Sequence, residues 1–212
     1  MRERKNTMAA FGKKKKASEF PDVIPVSEAI RKGLIMGAGN LARKQIIQGL
    51  LFLAGELAYI LYMVFYGAKA LQNFVTLGTE TQKKVFNEAT QVYEYATGDN
   101  SQLCLLYGVV TFFVTIGFIL LWRAAIRSSY IAQKAQEAGK KPITFGQILK
   151  DLKDNRMYQL FLLFPFLGII LFTVMPLVFM ILMAFTNYDR DHLPPGKLFD
   201  WVGFQNFARV LN

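Results

Sequence analysis

The stretch Leu160–Met183, LFLLFPFLGIILFTVMPLVFMILM, contains 24 residues and no charge. A helix needs about 20 apolar residues to cross the hydrocarbon core of a bilayer, whereas a buried helix of a soluble protein usually keeps a polar stripe. Leu103–Trp122 has the same character, and Ile46–Tyr66 contains a single charge, Glu56. The three blocks predict an all-α integral membrane protein with three transmembrane helices plus short amphipathic interfacial helices.

The charged residues lie between these blocks in a pattern that predicts orientation. Residues 1–45 hold eleven Lys or Arg against four Asp or Glu, and residues 123–159 hold eight against three. Residues 67–102 and 184–212 are close to neutral. Because loops rich in Lys and Arg stay in the cytoplasm, we expect the first two segments inside and the other two outside. The net charge of +10 therefore indicates the cytoplasmic edges of a cell-membrane protein, not a nucleic-acid-binding surface.

These assignments divide the whole chain into successive segments. They are a basic disordered cytoplasmic tail (1–26), an amphipathic cytoplasmic segment (27–45), a first transmembrane helix (46–66), an extracellular loop with an amphipathic helix at about 80–97 (67–102), a second transmembrane helix (103–122), a cytoplasmic loop with an interfacial helix at about 144–153 (123–159), a third transmembrane helix (160–183) and an extracellular tail (184–212). The two short helices are predicted from capping boxes, Thr79 with Gln82 and Thr144 with Gln147. The basic tail is either solvated or attracted to anionic lipid.

Glu56 is the one charged residue inside a predicted span, at the midpoint of that span. An acidic side chain within a membrane is by default a candidate functional group. The alternative is a structural hydrogen bond to another helix, with Thr111, Thr115 and Thr173 as candidate partners. The sequence leaves both interpretations open.

Gly37, Gly39 and Ala42 match the G-x-G-x-x-A spacing of dinucleotide-binding loops. That motif requires a preceding strand within a βαβ unit, whereas here a membrane span follows. We therefore expect the glycines to allow a bend or close packing. The chain has one Cys, one His and no P-loop motif, so the sequence predicts no metal site, no cofactor, no catalytic residue and no ATP hydrolysis by this chain.

The third block and the residues after it follow a distinctive order. Pro165 and Pro176 interrupt the block, Ala184-Phe185-Thr186-Asn187 follows it, and Trp201-Val202-Gly203-Phe204-Gln205-Asn206-Phe207 comes later. In this order the chain resembles MalF-type permease subunits of carbohydrate ABC importers, in their Gram-positive form, over residues 30–212. The positions that carry the motif are Pro165, Pro176, Asn187, Trp201, Gly203, Asn206 and Phe207.

The resemblance implies an N-terminal membrane portion of a permease that moves maltose- or maltodextrin-like sugar inward by alternating access. Its implied partners are a second permease subunit, a dimer of ATP-binding subunits, an extracellular sugar-binding protein and membrane lipid. The family places its sugar-contacting residues and ATPase-coupling loop in later helices. We therefore assign no substrate-binding residue and expect a truncated chain or fragment. The alternative is a stand-alone three-span membrane anchor or assembly factor without transport activity.

Overall fold

The computed structural model describes residues 35–89 and 91–211. The predicted basic tail, 1–26, and the first part of the predicted amphipathic segment, 27–34, lie outside the described residues. Three helices in the described part are long and apolar enough to cross a membrane. The prediction of a mostly helical protein with three transmembrane helices is confirmed.

The described chain begins with a short helix, α1 (Ala38–Ala42), which precedes the first span. The described part of the segment at 27–45, residues 35–45, contains this helix. Gly37 and Lys44 have φ values of +82° and +64°. Because left-handed residues cannot continue a right-handed helix, they end α1 on both sides.

The first span covers 31 residues, Ile46–Thr76, and extends beyond the predicted end at residue 66. It consists of α2 (Ile46–Tyr62), a π-helical turn (Met63–Gly67) and α3 (Ala68–Thr76). The helix continues because alanine, lysine and leucine at its C-terminal end are strong helix formers. It ends at Leu77, where φ is +54°.

A β-hairpin follows the first span, with strands β1 (Lys84–Asn87) and β2 (Val92–Tyr95). The strands are antiparallel, and Phe86 pairs with Tyr93. The amphipathic helix predicted at about 80–97 is therefore wrong. The valines, tyrosines and phenylalanine that supplied its apolar spacing are also the residues favoured in strands.

The capping box predicted at Thr79 and Gln82 does not form. The backbone N–H groups of Thr79 and Glu80 donate to Oδ2 of Asp99 at 2.8 and 3.1 Å. The N–H of Asp99 donates to the carbonyl of Glu80 at 2.7 Å. Asp99 thus fixes the two ends of the loop side by side, which favours a hairpin over a helix.

The second span is α4 (Ser101–Glu137), a helix of 37 residues. Asn100 caps it, because its Oδ1 accepts hydrogen bonds from the N–H groups of Gln102 and Leu103 at 3.0 and 3.3 Å. At 1.5 Å per residue the helix is about 55 Å long. It therefore extends well past the predicted end at residue 122 and beyond a hydrocarbon core of about 30 Å.

Helix α5 (Phe145–Asp154) coincides with the short helix predicted at about 144–153. Its capping box forms as predicted. The N–H of Thr144 donates to Oε1 of Gln147 at 2.9 Å, and the N–H of Gln147 donates to Oγ1 of Thr144 at 3.4 Å. Its location at the membrane interface stays a prediction.

The third span, Met157–Met183, consists of α6 (Met157–Ile169), a π-helical turn (Ile170–Val174) and α7 (Met175–Met183). It begins three residues before the predicted start at 160. Pro165 lies inside α6, and Pro176 lies in the first turn of α7. Because proline has no N–H for the i→i−4 ladder, the hydrogen bonds shift before Pro176 to the wider π pattern.

The described chain ends with α8 (Gln205–Leu211), a helix that the sequence analysis did not predict. The molecule divides into two compact units. Among the described residues, the first comprises 35–56 with Leu121–Lys150, and the second comprises 57–89 and 91–120 with 151–211. The second unit has a small apolar core, formed by Leu77, Leu105 and Phe199.

Candidate functional site

Glu56, in the first unit, binds the backbone that precedes the first span. The N–H of Met36 donates to Oε2 of Glu56 at 2.8 Å. Glu56 is half-buried, and Met36 is 1% exposed. Because an unpaired buried N–H is costly, the carboxylate satisfies a donor that would otherwise lack a partner. The interpretation of Glu56 as a structural residue requires a hydrogen bond, and the bond from Met36 is one.

The threonines considered as partners of Glu56 do not bind it. In the second unit, the Tyr59 hydroxyl donates to Oγ1 of Thr115 at 3.1 Å, and the Tyr62 hydroxyl shares a hydrogen bond of 2.8 Å with Oγ1 of Thr111. Thr173 is exposed in the third span. The sequence signal that could have revealed these pairs is helical spacing, which relates the two tyrosines on the first span and the two threonines on the second.

Gly37 and Gly39, in the first unit, permit close approach to two helices. A Cβ on Gly37, where φ is +82°, would overlap the carbonyl oxygen of Gly49 in α2. A Cβ on Gly39 would overlap Oγ of Ser129 in α4. Of the predicted alternatives, a bend or close packing, the structure shows close packing at these glycines. After these glycines the chain continues through α1 into the first span.

Arg43, also in the first unit, is a buried cation held by neutral groups. Its side chain is fully enclosed at 1% exposure. Nη1 donates to the Gly39 carbonyl and to Oγ of Ser129, both at 2.6 Å, and Nη2 donates to Oε1 of Gln133 at 3.0 Å. Gln133 Nε2 donates onward to Oε1 of Glu137 at 2.8 Å. Burial lowers the pKa of Arg43 from its ordinary value while the Glu137 carboxylate opposes the change, and an arginine remains charged in this situation.

Asn40 extends this cluster. Its Nδ2 donates to Oε1 of Gln45 and to Oγ of Ser128, both at 2.8 Å. Asn40 and Arg43 together attach α1 to the last third of α4. Sequence reasoning missed the cluster because its partners lie 86 to 90 residues apart along the chain. The cluster provides positioning and contains no nucleophile paired with a base.

The residues of the family motif meet in the second unit, at the C-terminal end of the third span. Asn206 Nδ2 donates to the carbonyls of Ala184 and Thr186 at 2.9 and 2.7 Å. Trp201 Nε1 donates to the carbonyl of Phe74 at 3.1 Å, and the two rings stack edge to face at 5.6 Å. These contacts join the third span to its following loop and to the end of the first span.

The remaining motif residues complete the same junction. The N–H of Asn187 donates to the Asp200 carbonyl at 3.0 Å, and the N–H of Asp200 donates to Oδ1 of Asn187 at 2.6 Å. Gly203, with φ of +59°, donates its N–H to the Phe185 carbonyl at 3.0 Å. The ring of Phe207 lies 5.3 Å from that of Phe185. Pro165 and Pro176 lie within the span and take no part in this junction.

Two acidic side chains outside the spans are held by hydrogen bonds. The pKa of Asp99 lies below its ordinary value because the N–H groups of Thr79 and Glu80 stabilise the charged form. The pKa of Asp189 is lowered first by its hydrogen bond to His192. The Nδ1–Oδ1 distance in that pair is 2.7 Å. Within residues 35–89 and 91–211, no cluster of His, Cys, Asp or Glu could hold a metal ion.

Comparisons with known proteins identify relatives of this chain. No protein-family model matches the sequence, and no solved structure matches it. The maltodextrin transport system permease protein MalC of Streptococcus pneumoniae is 28% identical over 87% of this chain and 39% of its own length. The corresponding protein MdxF of Bacillus subtilis is 28% identical over 84% and 38%. The galactooligosaccharides transport system permease protein GanP of Bacillus subtilis is 30% identical over 86% and 40%.

The chain spans about two-fifths of the length of the curated relatives it matches. These relatives are transport permeases and not enzymes, in agreement with the predicted transport role. They confirm the resemblance that the motif around the third span indicated. With its three helices able to span a bilayer, the chain is a multi-pass protein of the cell membrane.

Proposed function

Because this chain is related to sugar permeases of the MalF type, we propose that it is the N-terminal membrane portion of a permease subunit of an ABC importer. The proposed cargo is a maltose- or maltodextrin-like oligosaccharide, since the relatives MalC and MdxF are maltodextrin permeases. The sugar moves inward by alternating access, and a partner subunit hydrolyses the ATP. GanP, named for galactooligosaccharides, makes that sugar class the second candidate cargo.

The observation that carries this proposal is the relationship that extends over 87% of the chain. The junction at the end of the third span supports it. The motif residues Asn187, Trp201, Gly203, Asn206 and Phe207 all take part in that junction. The resemblance therefore includes residues that form specific contacts in this junction, in addition to the apolar composition of the spans.

The proposed orientation places the N-terminus and the segment after the second span in the cytoplasm. This proposal rests on the concentration of Lys and Arg in residues 1–45 and 123–159, because such segments are retained inside. The β-hairpin and the junction after the third span then lie outside the cell.

The proposed partners are a second permease subunit, a dimer of ATP-binding subunits and an extracellular sugar-binding protein. We would isolate the affinity-tagged chain from membranes of its own organism and identify co-purifying proteins by mass spectrometry. Another tagged three-span protein from the same membranes serves as the control for unspecific capture. The proposal predicts an ATP-binding subunit and a second permease in the sample. Recovery of the chain without either partner would favour the stand-alone membrane anchor.

A further inference from the structure

A groove lies between the first and second spans, within the second unit. It encloses about 380 Å³, and small-molecule sites typically measure roughly 300–1,000 Å³. Its first-span side includes Tyr62, Phe65 and Tyr66, which flank or belong to the π-helical turn Met63–Gly67. Such turns are frequent at functional sites. Neither the buried cluster nor the motif junction contributes to this groove.

At one end of the groove, the polar side chains of Tyr62 and Thr111 are already paired with each other. The Tyr62 hydroxyl and Oγ1 of Thr111 share a hydrogen bond of 2.8 Å, and Thr111 Oγ1 donates to the Tyr107 carbonyl at 2.8 Å. Phe65 and Val110 add apolar surface. An occupant therefore meets an essentially apolar wall over this part of the groove.

The other end of the groove carries a cation and an amide, Lys69 and Asn73. Within the part of the chain that the structure describes, Lys69 forms no ion pair and the Asn73 side chain forms no hydrogen bond. Lys69 is exposed. The Asp99 carboxylate interacts electrostatically with Lys69, but its hydrogen bonds come from the N–H groups of Thr79 and Glu80. The end near Lys69 therefore offers positive charge and hydrogen-bond donors to a ligand.

The location of Lys69 fits a membrane interface. About 20 residues from Ile46 suffice to cross the hydrocarbon core, which puts Lys69 roughly one helical turn beyond that length. Tyrosine and lysine are the side chains that anchor helices at this depth. The apolar end of the groove then lies within the acyl-chain region, about 10 Å deeper along the span.

We propose that this groove binds one anionic phospholipid, with its phosphate at Lys69 and Asn73 and an acyl chain along Phe65 and Val110. The lining surface is mainly apolar, whereas a bound sugar needs polar partners for most of its hydroxyl groups. A packed helix from another segment or subunit is favoured by small residues at the contact, whereas four of the nine residues that line this groove are aromatic. An amphiphile with one anionic end matches both parts of the groove.

The test is native mass spectrometry of the full chain, purified in detergent and mixed with equal amounts of palmitoyl-oleoyl-phosphatidylglycerol and palmitoyl-oleoyl-phosphatidylcholine. The wild-type chain should retain phosphatidylglycerol in preference. Lys69→Gln should reduce this preference about fivefold, the effect expected for one cation beside an anionic headgroup. Lys69→Arg should keep it. Lys83→Gln, which changes an exposed lysine outside the groove, is the matched control and should leave it unchanged.

Two further experiments distinguish a bound phospholipid from other occupants of the groove. Val110→Trp fills the groove from the second span and should abolish retention of the phosphatidylglycerol. Soluble glycerol phosphate should not displace the lipid, because the acyl chain supplies much of the contact. An unchanged preference in Lys69→Gln, or displacement by glycerol phosphate, would overturn the proposal. So would the absence of lipid from the assembled importer, which would indicate that a neighbouring helix covers the groove. The lipid preference is measured without substrate, so it stands or fails separately from sugar transport.

Discussion

The backbone N–H of Met36 donates a hydrogen bond of 2.8 Å to the Glu56 carboxylate, across 20 residues of sequence. This contact connects the chain before α1 to the middle of the predicted first span. It gives the lone intramembrane acid a structural partner. Two substitutions can therefore distinguish a structural role of Glu56 from a role in transport.

Glu56→Gln should leave stability and transport nearly unchanged, because the amide oxygen still accepts the hydrogen bond from Met36. Glu56→Leu removes the acceptor and leaves a buried N–H unpaired, which should lower the free energy of unfolding by about 1–3 kcal/mol. Denaturant titration in detergent micelles measures the difference. Loss of transport, or a changed pH dependence, in a stably folded Glu56→Gln variant would contradict the structural assignment.

Arg43→Lys should destabilise the first unit although it keeps the charge. A lysine cannot reproduce the planar arrangement of donors that serves Gly39, Ser129 and Gln133, and a loss of about 1–3 kcal/mol is expected from the unpaired buried groups. The same titration measures it. Lys44→Gln, an exposed neighbour, is the control. Equal stability of Arg43→Lys and wild type would show that the cluster contributes little.

Asn206→Ala should loosen the junction at the C-terminal end of the third span. It removes two hydrogen bonds, to the Ala184 and Thr186 carbonyls, which together contribute about 1–3 kcal/mol. Limited proteolysis should then cut the loop at 187–200 faster than in wild type. The adjacent, exposed Gln205→Ala is the matched control. A proteolysis rate identical to that of the control would refute the assigned contacts.

The hydrogen bonds from Thr79 and Glu80 to Asp99, which hold the ends of the hairpin loop together, should weaken at low pH. The folded-state pKa of Asp99 is below its ordinary value of 3.8, so its contribution to stability is present above that value and is lost as the pH falls through the folded-state pKa. Hydrogen exchange at the amides of Thr79 and Glu80 should accelerate there. In Asp99→Asn the acid-dependent step should vanish, and its persistence would assign the step to another group.

The proposed orientation makes a separate prediction for cysteine labelling in whole cells. Glu88→Cys at the hairpin turn should react with a membrane-impermeant maleimide, whereas Lys140→Cys should react only after the cells are permeabilised. Both positions are exposed, so access depends on the side of the membrane. The buried Cys104 of the parent chain gives the background. The opposite pattern would reverse the orientation.

The sequence predicted the features that depend on local patterns. The three apolar blocks became three spans, and the Thr144–Gln147 capping box starts α5 as expected. The hairpin was missed because valine, phenylalanine and tyrosine at 85–95 fit helical and alternating spacing equally well. The deciding contact comes from Asp99, which binds the far end of the loop.

The candidate site was less accessible from the sequence. Arg43 sits in a segment that looks basic and solvated, and only packing against Ser129 and Gln133 in α4 shows that it is buried. The positions of the family motif were identified by resemblance, but their contacts were not. The bond from Trp201 to Phe74 joins residues 127 apart, which no local pattern indicates.

The most direct test of the central claim is uptake of radiolabelled maltotriose by cells of the source organism, with and without this chain. Removal of the chain should reduce uptake to background, and expression of the intact chain should restore it. A galactooligosaccharide measured in parallel distinguishes the two candidate cargoes. Unchanged uptake of both sugars in cells that lack the chain would contradict the assignment as a sugar permease and favour a membrane anchor.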